Sequence, residues 1–398
     1  MHKNIQHLYE IAQKSSRKVI GLMSGTSLDG LDIALCEITG AGVQTKVELL
    51  HFTTVSYDAA IKEKILSLFS KQTISLEQLC LLNPWIALQN AEMINATLAS
   101  WKISNHEIDL IASHGQTIYH APKSLHPLDE FGPATLQIGD GDHIAVATGI
   151  ITISDFRQKH IAAGGEGAPL AVYGDYLLCV DVAENRLLLN IGGIANYTFL
   201  PASCSLDKVF SSDTGPGNTL MDAYVRKYFK VEYDKDAAIA KQGNINMELL
   251  NSLKANSFFK VALPKTIGPE LFNLDFLADA QKVTKTESIS QYDVMATLNR
   301  FTAETIAAAI IDYVPANITY TMYTSGGGMH NRLLIEHLQQ LLPKVKIESS
   351  MSIGIQPDAK EAILFAVLAN EAVAGTPLFA GGNATKIPIT MGKFSFPE

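Results

Sequence analysis

Residues 187–198 read LLLNIGGIANYT, an apolar run, a pair of glycines and a second run that resumes as a strand. Residues 21–32, GLMSGTSLDGLD, have the same arrangement near the start of the chain. The spacing of apolar residues predicts a third strand and then helices after each copy. Two such units indicate a duplicated α/β fold with a cleft between two domains. The alternative is one large mixed domain in which the similarity of the two segments is coincidental.

The domain boundary is predicted at residues 164–169, where glycine, alanine and proline cluster. We therefore expect one domain over residues 1–165, completed by the C-terminal segment 375–398, and a second over residues 166–374. The length of 398 residues fits two domains, because one hydrophobic core rarely organises so long a chain. The first residues predict a short docking helix, since apolar side chains recur there at helical spacing, namely Ile5, Leu8, Tyr9 and Ala12.

Composition argues against several functional classes. The net charge of −9 offers no general attraction to nucleic acid or to an anionic membrane. The N-terminus has no continuous apolar stretch of the signal-peptide kind, and the apolar segment 362–374 is too short to span a bilayer. The four widely spaced cysteines have no metal-binding spacing and indicate buried thiols in a reducing compartment. We expect a cytoplasmic protein.

The stretch 21–32 is a candidate anion site. Its glycine-rich turn offers backbone amides and the hydroxyls of Thr26 and Ser27 to an anion such as a phosphate. Asp29 and Asp32 are candidate magnesium ligands, directly or through water, because magnesium prefers oxygen ligands. No Walker motif is present, and a plain hairpin with an Asp-Gly turn remains an equal alternative.

Residues 211–223, SSDTGPGNTLMDA, place a carboxylate at the predicted end of a strand, before a Gly-Pro-Gly turn. Ligands of α/β folds bind beyond the carboxyl ends of strands, which makes Asp213 our first choice for a general base. A turn or helix-capping aspartate is the alternative.

Two further glycine motifs follow predicted strands. Gly192 and Gly193 could close over phosphates, and SGGG at residues 325–328 could accept an adenosine against its bare backbone. Three polar stretches, SHGQT, DFRQKHIAAGGEGAPL and PDAKEAILFA, are predicted at the ends of elements. In the last of these, a capping box formed by Asp358 and Glu361 is the strong alternative to a functional role.

Eight ordered motifs together resemble the anhydro-N-acetylmuramic acid kinases, a family within the superfamily of actin-like ATPases and sugar kinases. The resemblance runs from about Val19 to the C-terminus. Its carriers are GLMSGTSLDGLD, ASHGQTIYH, TLQIGDG, DFRQKHIAAGGEGAPL, NIGGIAN, DTGPGN, TSGGGMHN and PDAKEAILFA. It implies two ribonuclease-H-like domains of the actin-like ATPase type around a cleft that closes on ATP and an amino sugar.

The resemblance also implies roles for individual residues. Asp213 matches the catalytic aspartate. The implied nucleotide-binding residues are Gly25, Thr26, Ser27, Leu28, Asp29, Gly30, Leu31, Asp32, Gly192, Gly193, Gly326, Gly327 and Gly328. The implied sugar-binding residues are Thr117, Arg157, Ala163, Gly164, Gly165 and Glu361. Mg²⁺ would accompany ATP near Asp29 and Asp32, and a homodimer is compatible with the resemblance.

The implied reaction opens the internal ether bridge of 1,6-anhydro-N-acetylmuramic acid with water and phosphorylates O6 from ATP. Three positions depart from the usual motifs: Glu166 replaces glutamine, His160 replaces aspartate and Pro269 replaces arginine. Three rivals stay open at this stage. They are a motor-like or chaperone-type ATPase, a sugar-responsive repressor, which would need a DNA-binding helix-turn-helix, and a kinase for another amino sugar.

Overall fold

The computed structural model describes residues 2–25, 28–123, 126, 128–168, 170–265, 267, 271–315, 317–377 and 387–398. It divides into two compact units, the first formed by Met1–Cys179 with Asp358–Glu398 and the second by Val180–Pro357. The boundaries expected from sequence, after residues 165 and 374, differ from this division. The reason is that the helix over residues 360–374 packs on strands of the first unit, and the helix over residues 171–179 packs on that helix.

The described residues contain twelve strands and twelve α-helices. The strands are β1 (Ser16–Ser24), β2 (Gly30–Thr39), β3 (Lys46–Ser56), β4 (Leu110–Ala121), β5 (Ala134–Ile138), β6 (Thr152–Ser154), β7 (Asn185–Ile191), β8 (Ile194–Leu200), β9 (Phe210–Pro216), β10 (Tyr320–Ser325), β11 (Lys346–Ser349) and β12 (Lys393–Ser395). The helices are α1 (Lys3–Gln13), α2 (Ala59–Leu66), α3 (Leu76–Trp101), α4 (Gly141–Thr148), α5 (Phe156–Ala162), α6 (Ala171–Cys179), α7 (Thr219–Tyr228), α8 (Met247–Lys254), α9 (Leu274–Thr284), α10 (Gln291–Tyr313), α11 (Arg332–Leu341) and α12 (Lys360–Ala374).

Each unit is built on one sheet, and the two sheets share a strand order. In the first unit the order is β12-β6-β4-β1-β2-β3, with β5 beside β4, and in the second it is β11-β10-β7-β8-β9. In both sheets the first three strands are antiparallel and the next strand is parallel to the first. In both sheets the order is third, second, first and fourth strand, followed by one more parallel strand, β6 or β11. This repeated order confirms the predicted α/β fold with two ribonuclease-H-like units.

Helix α12 packs on the first sheet so closely that a glycine is required below it. A Cβ at Gly21 of β1 would lie 1.8 Å from the carbonyl oxygen of Ala362. Residues Ala362 to Glu371 of this helix are all buried, which explains the long apolar run in the sequence.

Helix α10 is the only helix of the described residues that is long and apolar enough to cross a membrane by length and composition. It is a core helix of the second unit, because 78% of its most apolar stretch is buried inside the protein. Its buried face meets β7, β8 and β10 through side chains such as Ile306 and Ile310.

Helix α1 forms where helical spacing predicts it, but it buries a different face. Ile11 is fully buried and Asn4 Nδ2 donates to the carbonyl of Glu398, whereas Ile5 and Tyr9 are exposed. None of the four cysteines forms a disulfide, and Cys36 and Cys179 are buried. Cys80 is exposed, so the expectation of uniformly buried thiols is wrong at that position.

Candidate active site

In the second unit, two separate glycine motifs form one surface. Gly192 and Gly193 are the two-residue turn between β7 and β8. The loop after β9 lies directly on this turn, since the Gly217 amide donates to the Gly193 carbonyl and the Asn218 amide to the Gly192 carbonyl, each at 2.8 Å. A Cβ at Gly217 would lie 2.2 Å from the Gly192 oxygen, so no larger residue fits there.

The third glycine motif joins the same surface. Gly326 follows β10 with a φ of +78°, and a Cβ there would lie 2.7 Å from the Ile191 carbonyl oxygen. A Cβ at Gly328 would lie 2.3 Å from Ile191 Cγ2, whereas Gly327 has open space apart from Asn218 Nδ2 at 3.7 Å. The residues predicted to hold a nucleotide in this unit therefore lie together at the ends of β7 and β10. Bare backbone in such a place admits a flat or anionic ligand at close range.

Asp213 lies inside β9, and not at its end as the sequence indicated, because the strand continues through Pro216. The segment after α8 runs along this edge strand and holds the residue on both sides. The Asp213 amide donates to the Lys265 carbonyl at 3.0 Å, and the Ile267 amide donates to Asp213 Oδ2 at 2.8 Å. Within the described residues, Oδ1 makes no hydrogen bond, so one carboxylate oxygen remains available.

The environment of Asp213 suits a general base. Burial raises the pKa of its carboxyl from an ordinary 3.8 to about 6, although the Ile267 amide stabilises the ionised form. A base with this pKa is ionised near neutral pH and still basic enough to take a proton from water in a transition state. The side chain is only partly buried, which leaves it within reach of a ligand.

In the first unit, the turn between β1 and β2 carries the other predicted phosphate contacts, from Gly25 to Asp32. Thr26 and Ser27 lie outside the described residues. Leu28 has a φ of +55°, and it and Leu31 bury their side chains in the core, so only their backbone could meet a nucleotide. Gly30 begins β2, where a Cβ would lie 2.4 Å from the Val55 carbonyl oxygen.

The base of this turn is fixed by a buried polar chain. Tyr57 donates from its hydroxyl to Ser24 Oγ at 2.9 Å, and Ser24 donates to Gln116 Oε1 at 2.5 Å. Gln116 belongs to SHGQT, which was expected at the end of a strand but lies within β4. The polar residues fit inside a strand because they bond to the neighbouring turn.

Asp32, a predicted magnesium ligand, lies among other acidic side chains. Burial raises the pKa of its carboxyl, the Thr54 hydroxyl opposes this with a hydrogen bond, and the carboxylates of Asp29 and Asp358 raise it further. A divalent cation would relieve that repulsion. No group of three or more His, Cys, Asp or Glu in the described part of the chain could hold a metal alone. Carboxylate oxygens such as those of Asp32 are ligands of the kind that magnesium prefers, and this ion usually keeps several waters.

The predicted sugar contacts include two side chains of opposite charge in the first unit, Arg157 and Glu361. Burial lowers the pKa of Arg157, and the nearby Glu361 carboxylate opposes this. Glu361 is accessible to solvent, yet the surrounding protein partly desolvates its carboxyl and so raises its pKa. The positive charge of Arg157 acts in the opposite direction. The capping box that is the alternative for Glu361 does not form, because Ala359 precedes α12 without a side-chain cap. Glu361 is thus free of that structural role.

The remaining sugar-contact predictions lie on β4 and after α5. Thr117 Oγ1 accepts from Gln137 Nε2 at 3.2 Å. The amides of Ala163, Gly164 and Gly165 donate to carbonyls of α5 and close its last turn. This turn could therefore contact a ligand through its carbonyls and its shape, but not through those amides.

Several functional candidates could not be found by sequence reasoning. The imidazole of His114 accepts a hydrogen bond from Arg157, and that of His160 accepts one from the Gly167 amide at 3.0 Å. His160 stands where the resembled family has aspartate, and it accepts this hydrogen bond through Nδ1. The only signal was local, since DFRQKH places Arg157 and His160 three residues apart on one helix face. Pro269 lies outside the described residues.

Comparison with known proteins identifies the family. The family model described as anhydro-N-acetylmuramic acid kinase matches residues 17–388. Anhydro-N-acetylmuramic acid kinases from Pseudoalteromonas atlantica and Pseudoalteromonas translucida are each 56% identical, with 100% of both chains covered. The one from Caldanaerobacter subterraneus subsp. tengcongensis is 38% identical and covers 98% of this chain and 100% of its own. The chain therefore belongs to the anhydro-N-acetylmuramic acid kinase family, and it is a phosphotransferase.

Proposed function

We propose that the protein opens 1,6-anhydro-N-acetylmuramic acid hydrolytically and phosphorylates O6 from ATP, giving N-acetylmuramic acid 6-phosphate and ADP. The observation that carries this proposal is the Asp213 carboxyl, with a pKa of about 6 and one oxygen without a bond to the described chain. It lies in the same unit as the converging glycine surface of residues 192–193, 217 and 326–328. Such enzymes serve cell-wall peptidoglycan recycling, and we propose a cytoplasmic location.

The chemistry uses one base for two bond changes. Asp213 takes a proton from water while the water oxygen bonds to C1 of the sugar and the C1–O6 bond breaks. The electron pair released on O6 attacks the γ-phosphorus, and the bond from that phosphorus to ADP breaks. Because the leaving group of one change is the nucleophile of the other, one fixed arrangement serves both.

The glycine surface would supply backbone amides to the charge that develops on the transferred phosphoryl group. We propose that Gly192, Gly193 and the turn of residues 25–32 meet the phosphates, and that residues 326–328 meet the adenosine. Mg²⁺ held near Asp29 and Asp32 would neutralise phosphate charge. Thr117, Arg157, residues 163–165 and Glu361 are proposed to contact the sugar. A homodimer is compatible with this proposal.

A coupled ADP-release assay tests the proposal with three sugars, 1,6-anhydro-N-acetylmuramic acid, N-acetylmuramic acid and N-acetylglucosamine. We expect rapid turnover of the bridged sugar alone, and loss of nearly all rate in Asp213→Asn. Equal turnover of the unbridged N-acetylmuramic acid would exclude ring opening as part of the reaction. Preference for N-acetylglucosamine would instead favour the rival reading, a kinase for another amino sugar.

A further inference from the structure

Arg157 keeps an uncompensated positive charge in a half-buried place. Its guanidinium donates from Nε to His114 Nε2 at 2.9 Å and from Nη1 to the Gly167 carbonyl at 2.8 Å. Both acceptors are neutral. Among the described residues no carboxylate oxygen lies within 4.0 Å of the guanidinium, and Nη2 makes no hydrogen bond. A buried cation in this state is unusual, because buried charges are normally paired.

The imidazole of His114 stays neutral for two reasons. The residue is 3% exposed, and its ring lies against that of Phe365 with centroids 4.7 Å apart and a tilt of 37°. Burial, followed by the charge of Arg157, lowers its pKa to about 3. Since the guanidinium can only donate, Nε2 must accept and the ring proton must lie on Nδ1. His114 therefore fixes Arg157 without neutralising it.

The other nearby imidazoles behave in the same way. Burial lowers the pKa of His160 to about 4, and it lowers that of His120 as well, with Arg157 contributing in both cases. Glu361 is the one carboxylate that acts noticeably on Arg157, from beyond ion-pair distance. The guanidinium of Arg157 is thus held in a fixed orientation among mostly neutral side chains, and its Nη2 makes no hydrogen bond to the described residues.

We propose that Arg157, positioned by His114, recognises the carboxylate of the sugar and so selects an acid anhydro-sugar over a neutral one. This inference rests on the proposed function, whose substrate carries a carboxylate on its lactyl group. The planar guanidinium suits a carboxylate, since its remaining N–H groups can donate in a fork. Glu361, with a raised pKa, is left to accept from sugar hydroxyls.

The test compares two substrates of equal size, 1,6-anhydro-N-acetylmuramic acid and its primary amide, which lacks the charge. Hydrogen bonds to a charged group contribute about 1.5–3 kcal/mol, so wild type should prefer the acid by about 10- to 100-fold in kcat/KM. Arg157→Gln should bring that ratio close to one, mainly through KM of the acid, and leave KM for ATP unchanged.

Two variants at position 114 test the positioning role. His114→Gln keeps a neutral acceptor and should keep the preference for the acid. His114→Glu also keeps an acceptor but neutralises the guanidinium, and should lose the preference, which a merely structural role would not predict. If circular dichroism shows that His114→Glu does not fold, the acid-over-amide preference of Arg157→Gln and of His114→Gln still tests the proposal.

The possible failures are distinguishable. A wild type that uses the acid and the amide equally, or an Arg157→Gln variant that slows both equally, overturns the inference and leaves the proposed function standing. Loss of the preference in His114→Gln overturns the positioning role of His114. A wild type that consumes ATP with neither sugar contradicts the proposed function itself.

Discussion

Replacing Asp213 by asparagine should abolish turnover and at the same time stabilise the protein. The carboxyl is partly buried and its pKa is about 6 in the folded chain, against an ordinary 3.8. Above pH 6 the folded state must carry a charge that burial disfavours. Asparagine has the same shape, keeps an oxygen for the Ile267 amide and carries no charge.

The magnitude follows from linkage. The difference between 3.8 and about 6 corresponds to about 3 kcal/mol of unfolding free energy, as an upper bound. The folded protein has the higher pKa, so it favours the protonated carboxyl. The stability that wild type gains from the protonated carboxyl is complete below pH 3.8 and is lost as the pH rises to about 6. The advantage of Asp213→Asn should therefore be near zero at pH 4 and reach its full size above pH 6.

Urea unfolding of both proteins at several pH values between 4 and 8 measures this difference. Asp279→Asn is a matched control on the same unit, since Asp279 is exposed and, among the described residues, forms an ion pair with Lys282 alone, at 3.5 Å. It should change stability little at any pH. A stability difference for Asp213→Asn that does not depend on pH, or a destabilised variant, would refute the reasoning.

Further predictions concern turnover and the glycine contacts. Wild-type kcat/KM should fall about tenfold per pH unit below pH 6, because the general base must be ionised, and a rate that stays level down to pH 4 would contradict this. Gly327→Ala should raise KM for ATP without changing the urea midpoint, since its Cβ has open space. Gly328→Ala should lower stability by about 1–3 kcal/mol, because its Cβ would lie 2.3 Å from Ile191 Cγ2. Gly21→Ala should be more damaging in thermal unfolding, since the collision is with the backbone oxygen of Ala362 at 1.8 Å.

The repeated succession of strands and glycine turns along the chain was accessible from the sequence because its signals are local. A glycine pair after an apolar strand predicts a tight turn whatever the rest of the chain does. The structure has these glycines where the pattern predicts them, with residues 192–193 directly after β7 and residues 326–328 directly after β10. Asp213 was selected as the candidate base for a similar reason, since it precedes a Gly-Pro-Gly turn, although the strand around it is longer than predicted.

The contacts that tune these residues were not accessible, because they join distant segments. The Ile267 amide that binds Asp213 is 54 positions away, and His114 is 43 positions from Arg157. No periodicity carries such information. The polar SHGQT stretch gave a wrong strand end for the same reason, since Gln116 is satisfied in β4 by Ser24, 92 positions away.

The central claim is that water opens the sugar at C1 while the released O6 takes the phosphoryl group. A single turnover of 1,6-anhydro-N-acetylmuramic acid and ATP in ¹⁸O-enriched water, quenched at once and analysed by mass spectrometry, tests it most directly. We expect one heavy oxygen on C1 of the sugar phosphate and none in its phosphate group. Heavy oxygen in the phosphate, or a sugar phosphate formed without heavy oxygen on C1, would contradict the account.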